Sequence, residues 1–224
     1  MFSDLELMEI HVNVLFNSDE QGRITHINEP PYDAAPRFFI GGTRKGPIVR
    51  YHKGLSDDVV KKLEEVIGTD PSSRLAEIIY ILSQVQPIRS VWIGPAFIFP
   101  EVRNRSTKAI QVTQSNKKLL LPHFPYTYDE FEYKEPCFAI VQNDMAVSLC
   151  CSARQTSKGD EASLYTLEEF RGKGYGVDVS NAWAREVQKQ GRLALYSTSW
   201  DNFSSQSVAK KLQLIQYGTD IHLS

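Results

Sequence analysis

With 224 residues, 42% of them hydrophobic, the chain can bury a sizeable core as one large domain or two small ones. Its 25 lysines and arginines stand against 27 aspartates and glutamates, a formal charge of −2 with both signs scattered along the sequence, which excludes the basic footprint of a nucleic-acid or membrane-surface protein. The opening Met1-Phe2-Ser3-Asp4 has neither the basic start nor the apolar centre of a leader, and no apolar run approaches a membrane span. The three cysteines show no metal-ligand spacing, so a cytoplasmic chain with reduced core thiols is expected.

In chain order, residues 7–16 suit a short opening strand or helix, and residues 17–33 are polar and turn-rich. Residues 37–40 form a strand candidate. The run Gly41-Gly42-Thr43-Arg44-Lys45-Gly46-Pro47 reads as a hairpin turn into a second strand at 48–51; Pro47 in the lysine position and the strand after it rule out a phosphate loop. Ser56, with Asp57 and Asp58 behind it, marks a helix start, and Val59, Val60, Leu63, Val66 and Ile67 give that helix one apolar face up to Gly68. Asp70-Pro71 opens a further helix with Leu75, Ile78, Ile79, Leu82 and Val85 as a core stripe. Residues 88–99, around Gly94-Pro95, suggest two short strands with a kink.

The prolines at 122 and 125 mark the expected boundary, giving an N-terminal α+β half over residues 1–125 and a second domain over 126–224. A short helix is expected at 126–133. Residues 137–141 and 146–153 form a hairpin around Asn143-Asp144. Adjacent Cys150 and Cys151 then point to opposite faces of one strand. A strand ending near Leu167 leads into Arg171-Gly172-Lys173-Gly174-Tyr175-Gly176, after which Val179, Ala182, Trp183 and Val187 recur at helical spacing as far as Gly191. Residues 193–199 read as a strand, Asp201-Asn202 starts a helix carrying Ser205, Val208, Ala209 and Leu212, and a last strand holds Asp220 and His222.

The glycines at 172, 174 and 176 open a helix, where unpaired N–H groups and the positive end of the helix dipole receive anions and the lack of Cβ atoms lets a phosphate approach the backbone. A P-loop would need Lys-Ser/Thr directly after its last glycine, whereas Val177-Asp178 follows here. A dinucleotide fingerprint would need a glycine at 177 and an acid about twenty residues on, and neither is present. The pattern Arg/Gln-x-x-Gly-x-Gly/Ala between strand and helix fits Arg171, Gly174 and Gly176. It is the pyrophosphate-binding motif of the Gcn5-related N-acetyltransferase (GNAT) superfamily, which the order strand, Gly-loop, helix, strand, Asn, helix, strand also resembles from about residue 136 onward. Asn28-Glu29-Pro30, Pro36-Arg37-Phe38, Gly94-Pro95-Ala96-Phe97, Glu135-Pro136-Cys137 and Ser197-Thr198-Ser199-Trp200-Asp201-Asn202 further resemble a subgroup of acetyltransferase-like proteins of unassigned substrate.

The resemblance implies an α/β (α+β) GNAT fold, with a mixed central sheet, flanking helices and the N-terminal half packed against it to shape the acceptor pocket. It implies acetyl-CoA as co-substrate, an amine acceptor of a small molecule or peptide, direct attack, no metal, and a monomer or homodimer. Carried over residue by residue, the backbone of Leu164, Tyr165 and Thr166 would hold the pantetheine, Arg171, Gly172, Lys173, Gly174, Tyr175 and Gly176 the pyrophosphate, and Asn202 with Ser205 the pantetheine arm. The tyrosine that the family uses to protonate the leaving thiolate falls at Ala209, which motivates the alternative of a non-catalytic CoA-binding module; a protein-interaction module on the same scaffold is a further alternative. Glu161, upstream on the strand, is the candidate base, with Glu168 and Glu169 in the turn as others; Tyr165, Ser199 and Tyr196 are candidates for proton traffic or acceptor contact. His222 could line the acceptor side, though a lone strand histidine is more often packed.

Overall fold

The first helix, α1 (Asp4–Leu15), starts at a reciprocal cap: the Ser3 hydroxyl accepts from the Glu6 amide while the Glu6 carboxylate accepts from the Ser3 amide, so two orphan donors are satisfied at once. The computed structural model describes residues 2–67, 74–102 and 107–224. It resolves the opening segment as this helix followed by the short pair β1 (Phe16–Ser18) and β2 (Ile24–Ile27). Two compact units emerge, one formed by Met1–Ala96, Thr198–Asp201 and Gln216–Ser224, the other by Phe97–Ser197 and Asn202–Ile215.

In the first unit β3 (Phe38–Thr43) pairs antiparallel with β4 (Gly46–Tyr51) and with β11 (Ile215–Leu223), and β5 (Val91–Ile98) lies beyond β11. The helices α2 (Asp57–Val66) and α3 (Leu75–Ser83) cover this sheet by burying Val60, Leu63, Ile78 and Leu82 against Phe38, Ile40 and Leu223. The expected stop at Gly68 and the start at Asp70-Pro71 lie outside the described residues. Ser56 takes the N-cap position of α2 but makes no side-chain capping bond.

Two glycine readings are corrected. The β3–β4 turn is Arg44-Lys45, and Gly41 and Gly42 belong to the strand, because a Cβ at Gly41 would overlap the buried side chain of Met8 and one at Gly218 would lie 2.5 Å from Met8 Cε and 2.6 Å from the Gly42 carbonyl oxygen. Residues 91–98 form one continuous strand in place of two. Gly94 lets the chain after β10 (Leu193–Ser197) run against that strand: a Cβ there would overlap the Thr198 carbonyl, with Ser199 Cα at 2.8 Å. The Trp200 amide donates to the Ile93 carbonyl at 3.1 Å and completes the contact.

In the second unit the strand order is β10, β9 (Gly159–Thr166), β8 (Met145–Gln155), β7 (Cys137–Gln142) and β6 (Ile110–Val112), antiparallel throughout except for the parallel β9–β10 pair. Asn143 and Asp144 have φ of 50° and 60°, as a two-residue hairpin requires. The helix α5 (Tyr175–Lys189) buries Val179, Ala182, Trp183 and Val187 on one face of this sheet with Cys150. A 3-10 turn (Lys117–Leu120), α4 (Pro125–Asp129) and Phe131 cover the other face, against Cys137 and Cys151. The cysteines are free and buried; burial holds Cys150, and a hydrogen bond to Cys151 together with burial holds Cys137, well above the ordinary thiol range. The last helix of the unit is α6 (Phe203–Lys211). This is an α+β fold built on a mixed sheet with flanking helices.

Candidate active site

Parallel pairing between β9 and β10 covers only Leu193↔Gly159, Ala194↔Asp160 and Leu195↔Glu161. Beyond Glu161, β9 runs on to Thr166 paired with β8 on one edge and, among the described residues, with no strand on the other, so the two parallel strands fork. An extended ligand can lie along such an unpaired edge and use its backbone groups.

The base of the fork is held by charge. Asp160, fully buried, accepts from the Ser152 hydroxyl at 2.7 Å and pairs with Arg192. Trp183 Nε1 donates to the same hydroxyl at 3.1 Å, and Arg192 also donates to Gln155 at 3.0 Å. Burial pushes the Asp160 carboxyl up to about 6, against the pull of Ser152 and Arg192. One step along, at the fork itself, the buried Glu161 carboxylate accepts through Oε1 from the Ser197 amide at 2.6 Å and the Ser197 hydroxyl at 2.7 Å.

At the open end of β9 the chain turns into α5. Arg171 Nε donates to the Thr166 carbonyl at 3.3 Å and ties the turn to the strand. Gly172 and Gly174 have φ of 78° and 82°, left-handed values that a Cβ strains, and the space around both is open. Gly174 is the N-cap and offers no side chain. The first bond of α5 is that from the Asp178 amide to the Gly174 carbonyl, so the amides at the helix start, residues 175–177, have no intrahelical acceptor. Gly176 is different: its φ is ordinary, and a Cβ would touch Val208, Thr166 and Leu164 at 3.5, 3.6 and 3.7 Å, occupying space between β9, α5 and α6. Asn202 caps α6, its Oδ1 accepting from the Ser205 amide at 3.0 Å.

These parts enclose a groove of about 580 Å³. Of the residues singled out from sequence, Leu164, Tyr165, Thr166, Arg171, Gly172, Gly174, Tyr175, Gly176, Asn202 and Ser205 line it. Lys173 is not among them; its ammonium sits 4.7 Å over the Phe170 ring. Among the proposed catalytic groups, Tyr165 lines the groove and packs edge-on against Phe124. Glu161 shares Tyr165's face of β9 by the alternation of the strand, at the fork. Ser199 lies in the other compact unit, where its hydroxyl donates to Asp201, and it is not a groove residue.

Tyr196 is buried, kept protonated by burial, and donates to the Ser205 carbonyl at 3.4 Å. Ala209 is buried in the core beside it and does not reach the groove, so a tyrosine at 209 would have to displace packed side chains. His222 stacks on Trp92 at 4.7 Å and hydrogen-bonds Asp220 at 3.2 Å, the packed role of a strand histidine.

Phe170, Val177, Phe203, Ser204, Ser207, Val208 and Lys211, to which the sequence assigned no role in the site, also line the groove. The signal was available for α6: positions 204, 207, 208 and 211 are one helical face. For Ser197 the sequence held no comparable signal, since its partner lies 36 residues away. No acidic side chain lines the groove among the described residues. Free amides, a helix dipole, Arg171 and Lys211 make it a receptor for an elongated polyanion, and the unpaired β9 edge continues it toward Glu161.

The model of the GNAT acetyltransferase family matches residues 98–217, just over half of the chain. No curated protein matches in sequence. Among solved structures, an acetyltransferase from the GNAT family of Colwellia psychrerythraea is similar with 8% identity over 85% of this chain and 81% of its own, at a TM-score of 0.52. A GNAT-family protein from Novosphingobium aromaticivorans is similar with 12% identity at a TM-score of 0.51, over 61% of this chain, which spans 65% of that protein's length. At such identities the likeness is one of fold.

Proposed function

Because this chain belongs to the GNAT acetyltransferase family, we propose that it is an acetyl-CoA-dependent N-acetyltransferase that transfers an acetyl group to an amine of a small molecule or peptide by direct attack. One observation carries the reading: the amides at the start of α5, the edge of β9 and the cap of α6 border a single groove that no acidic side chain lines among the described residues. Those groups fit CoA chemically. The amides and Arg171 suit a pyrophosphate, the β9 edge at residues 164–166 suits the amides of a pantetheine arm, and Gly176 leaves the width that a methyl would take. Acetyl-CoA supplies an acyl group activated as a thioester.

What the chain's own residues do follows from the fork. The attacking nitrogen must be neutral and must shed a proton as its bond to the acyl carbon forms. The Ser197 hydroxyl already donates to Glu161, so it passes that proton inward, and the carboxylate, fixed by the Ser197 amide, receives it. Tyr165, half exposed in the groove wall, is the phenol that serves the departing thiolate in place of the tyrosine that position 209 does not supply.

Calorimetric titration of acetyl-CoA into the wild type, Gly174→Glu and Arg171→Glu tests the reading. Micromolar binding lost in both variants, followed by thiol release on addition of amines from a broad panel, is the expected result. Arg171 is exposed and carries no backbone strain, so its variant separates charge repulsion from misfolding at Gly174. Wild-type protein that does not bind acetyl-CoA overturns the reading.

A further inference from the structure

Two of the three cysteines face each other across one hairpin. In the register of β7 and β8, Cys137 stands directly opposite Cys151, and both side chains are buried in one cluster with Leu120, Phe124 and Phe131. The ladder also fixes the kind of pair they form. The Ser152 amide donates to the Pro136 carbonyl, so residues 136 and 152 are a hydrogen-bonded pair; because the two kinds alternate along an antiparallel ladder, residues 137 and 151 are a non-hydrogen-bonded one. Such pairs hold their Cα atoms about 4.5 Å apart, inside the range of roughly 4.4–6.8 Å that a disulfide spans. The two sulfurs already interact, since the Cys137 thiol donates to Cys151. Cys150 cannot compete for either of them. It points to the opposite face of the sheet, beneath the 15-residue helix α5, whereas the pair lies beneath short pieces, the 4-residue 3-10 turn and the 5-residue α4. Short elements have few internal hydrogen bonds to break, so the face that covers the pair opens locally at lower cost than the face under α5.

We propose that Cys137 and Cys151 form a cross-strand disulfide by exchange with a low-molecular-weight disulfide, independently of what the groove binds. Burial and the hydrogen bond hold the Cys137 thiol protonated, so Cys151, the acceptor of that bond, attacks first. Its sulfur bonds to one sulfur of the small disulfide, whose S–S bond breaks, and the departing small thiolate takes the Cys151 proton. Cys137 then attacks the Cys151 sulfur of the mixed disulfide, gives its proton to the second departing thiolate and completes the link. Two cysteine sulfurs are oxidised, and one small disulfide is reduced to two small thiols. The link closes the open end of the hairpin, remote from the Asn143-Asp144 turn and next to Ser152, whose hydroxyl donates to Asp160. It therefore pins the stretch of β8 that holds the foot of the fork.

The experiment incubates the folded, reduced chain with hydroxyethyl disulfide, unfolds it in iodoacetamide to block the remaining thiols, and maps the peptides by mass spectrometry. The expected product links the Cys137 and Cys151 peptides, leaves the alkyl label on Cys150 alone, and reverts on addition of dithiothreitol. The oxidised protein is expected to unfold at a higher urea concentration than the reduced one, because the link restricts the unfolded chain. Cys150→Ser is expected to form the same link, and Cys137→Ala and Cys151→Ala to form none; the wild-type map stands by itself where an alanine variant does not fold. Three alkylated cysteines after incubation, or a link that includes Cys150, overturns the proposal. So does a Cys137–Cys151 link that lowers the urea midpoint, since the native register would then not accommodate the bond.

Discussion

At the scale of single residues, Glu161 and the glycines of the loop show how one position is tied to one task. Glu161 is a buried carboxylate, and both of its described donors come from Ser197, on the strand that leaves it behind at the fork. Replacing it with glutamine preserves an acceptor for both bonds and removes the capacity to take a proton. Glu161→Gln is therefore expected to lower kcat by about 100-fold or more and to leave acetyl-CoA binding by calorimetry unchanged. Equal losses in binding and turnover would assign Glu161 to the frame of the site and not to its chemistry. Two of the loop glycines answer to local constraints, positive φ at 172 and 174 beside a helix start that the apolar period from Val179 onward announces, whereas Gly176 meets Val208 from another helix. Ser197 was not legible, since nothing in its own neighbourhood in sequence reports a carboxylate across the sheet.

At the scale of elements, the errors of the sequence reading share a cause. Glycine was taken as a turn signal at 41–42 and as part of a kink at 94, yet in both places it makes room for another segment within a strand: Met8 from α1 at Gly41, the backbone of residues 198–199 at Gly94. Such approaches are between residues far apart in sequence, and local pattern does not contain them. The two cases differ in what can yield. Met8 can shift a flexible side chain, while the Thr198 carbonyl belongs to a chain pinned by the Ile93–Trp200 bond, so Gly94→Ala is expected to cost about 3 kcal/mol in urea denaturation and Gly41→Ala less. The reverse order would mean that residues 198–201 adapt freely.

The network joining β8, β9, α5 and Arg192 at the foot of the fork gives a second prediction at this scale. Burial raises the Asp160 carboxyl from its ordinary 3.8 to about 6, so the folded state holds this proton more tightly than the unfolded chain does. The group's contribution to stability is complete below pH 3.8 and is lost as pH rises through about 6, a change on the order of 3 kcal/mol. Urea denaturation of wild type and Asp160→Asn between pH 4 and pH 7 should show the wild type losing ground to the variant as pH rises. A constant difference would mean that Arg192 keeps the carboxylate charged throughout.

At the scale of the whole molecule, the charge of the groove opposes the charge of the chain. The formal net charge is −2, so viewed from a distance the protein weakly repels an anionic ligand. Within the groove the signs reverse: Arg171, Lys211 and the unpaired amides at the start of α5 face the ligand, and no acidic side chain lines the wall among the described residues. Salt distinguishes the two fields. If the net charge governed association, raising ionic strength would screen the repulsion and strengthen CoA binding; if the groove governs it, the same salt screens attraction at contact range and weakens binding. The groove has the advantage of distance, because its charges act within a few ångströms of the phosphates, inside a Debye length of roughly 8–10 Å at physiological salt, while the net charge is spread over the whole chain. Titration of CoA at 50 and at 300 mM sodium chloride, values chosen to straddle that regime, is therefore expected to show weaker binding at the higher concentration. The loss should be smaller in Lys211→Gln, which has one fewer cation to screen. Binding that strengthens with salt would mean that the groove's cations are not turned toward the ligand.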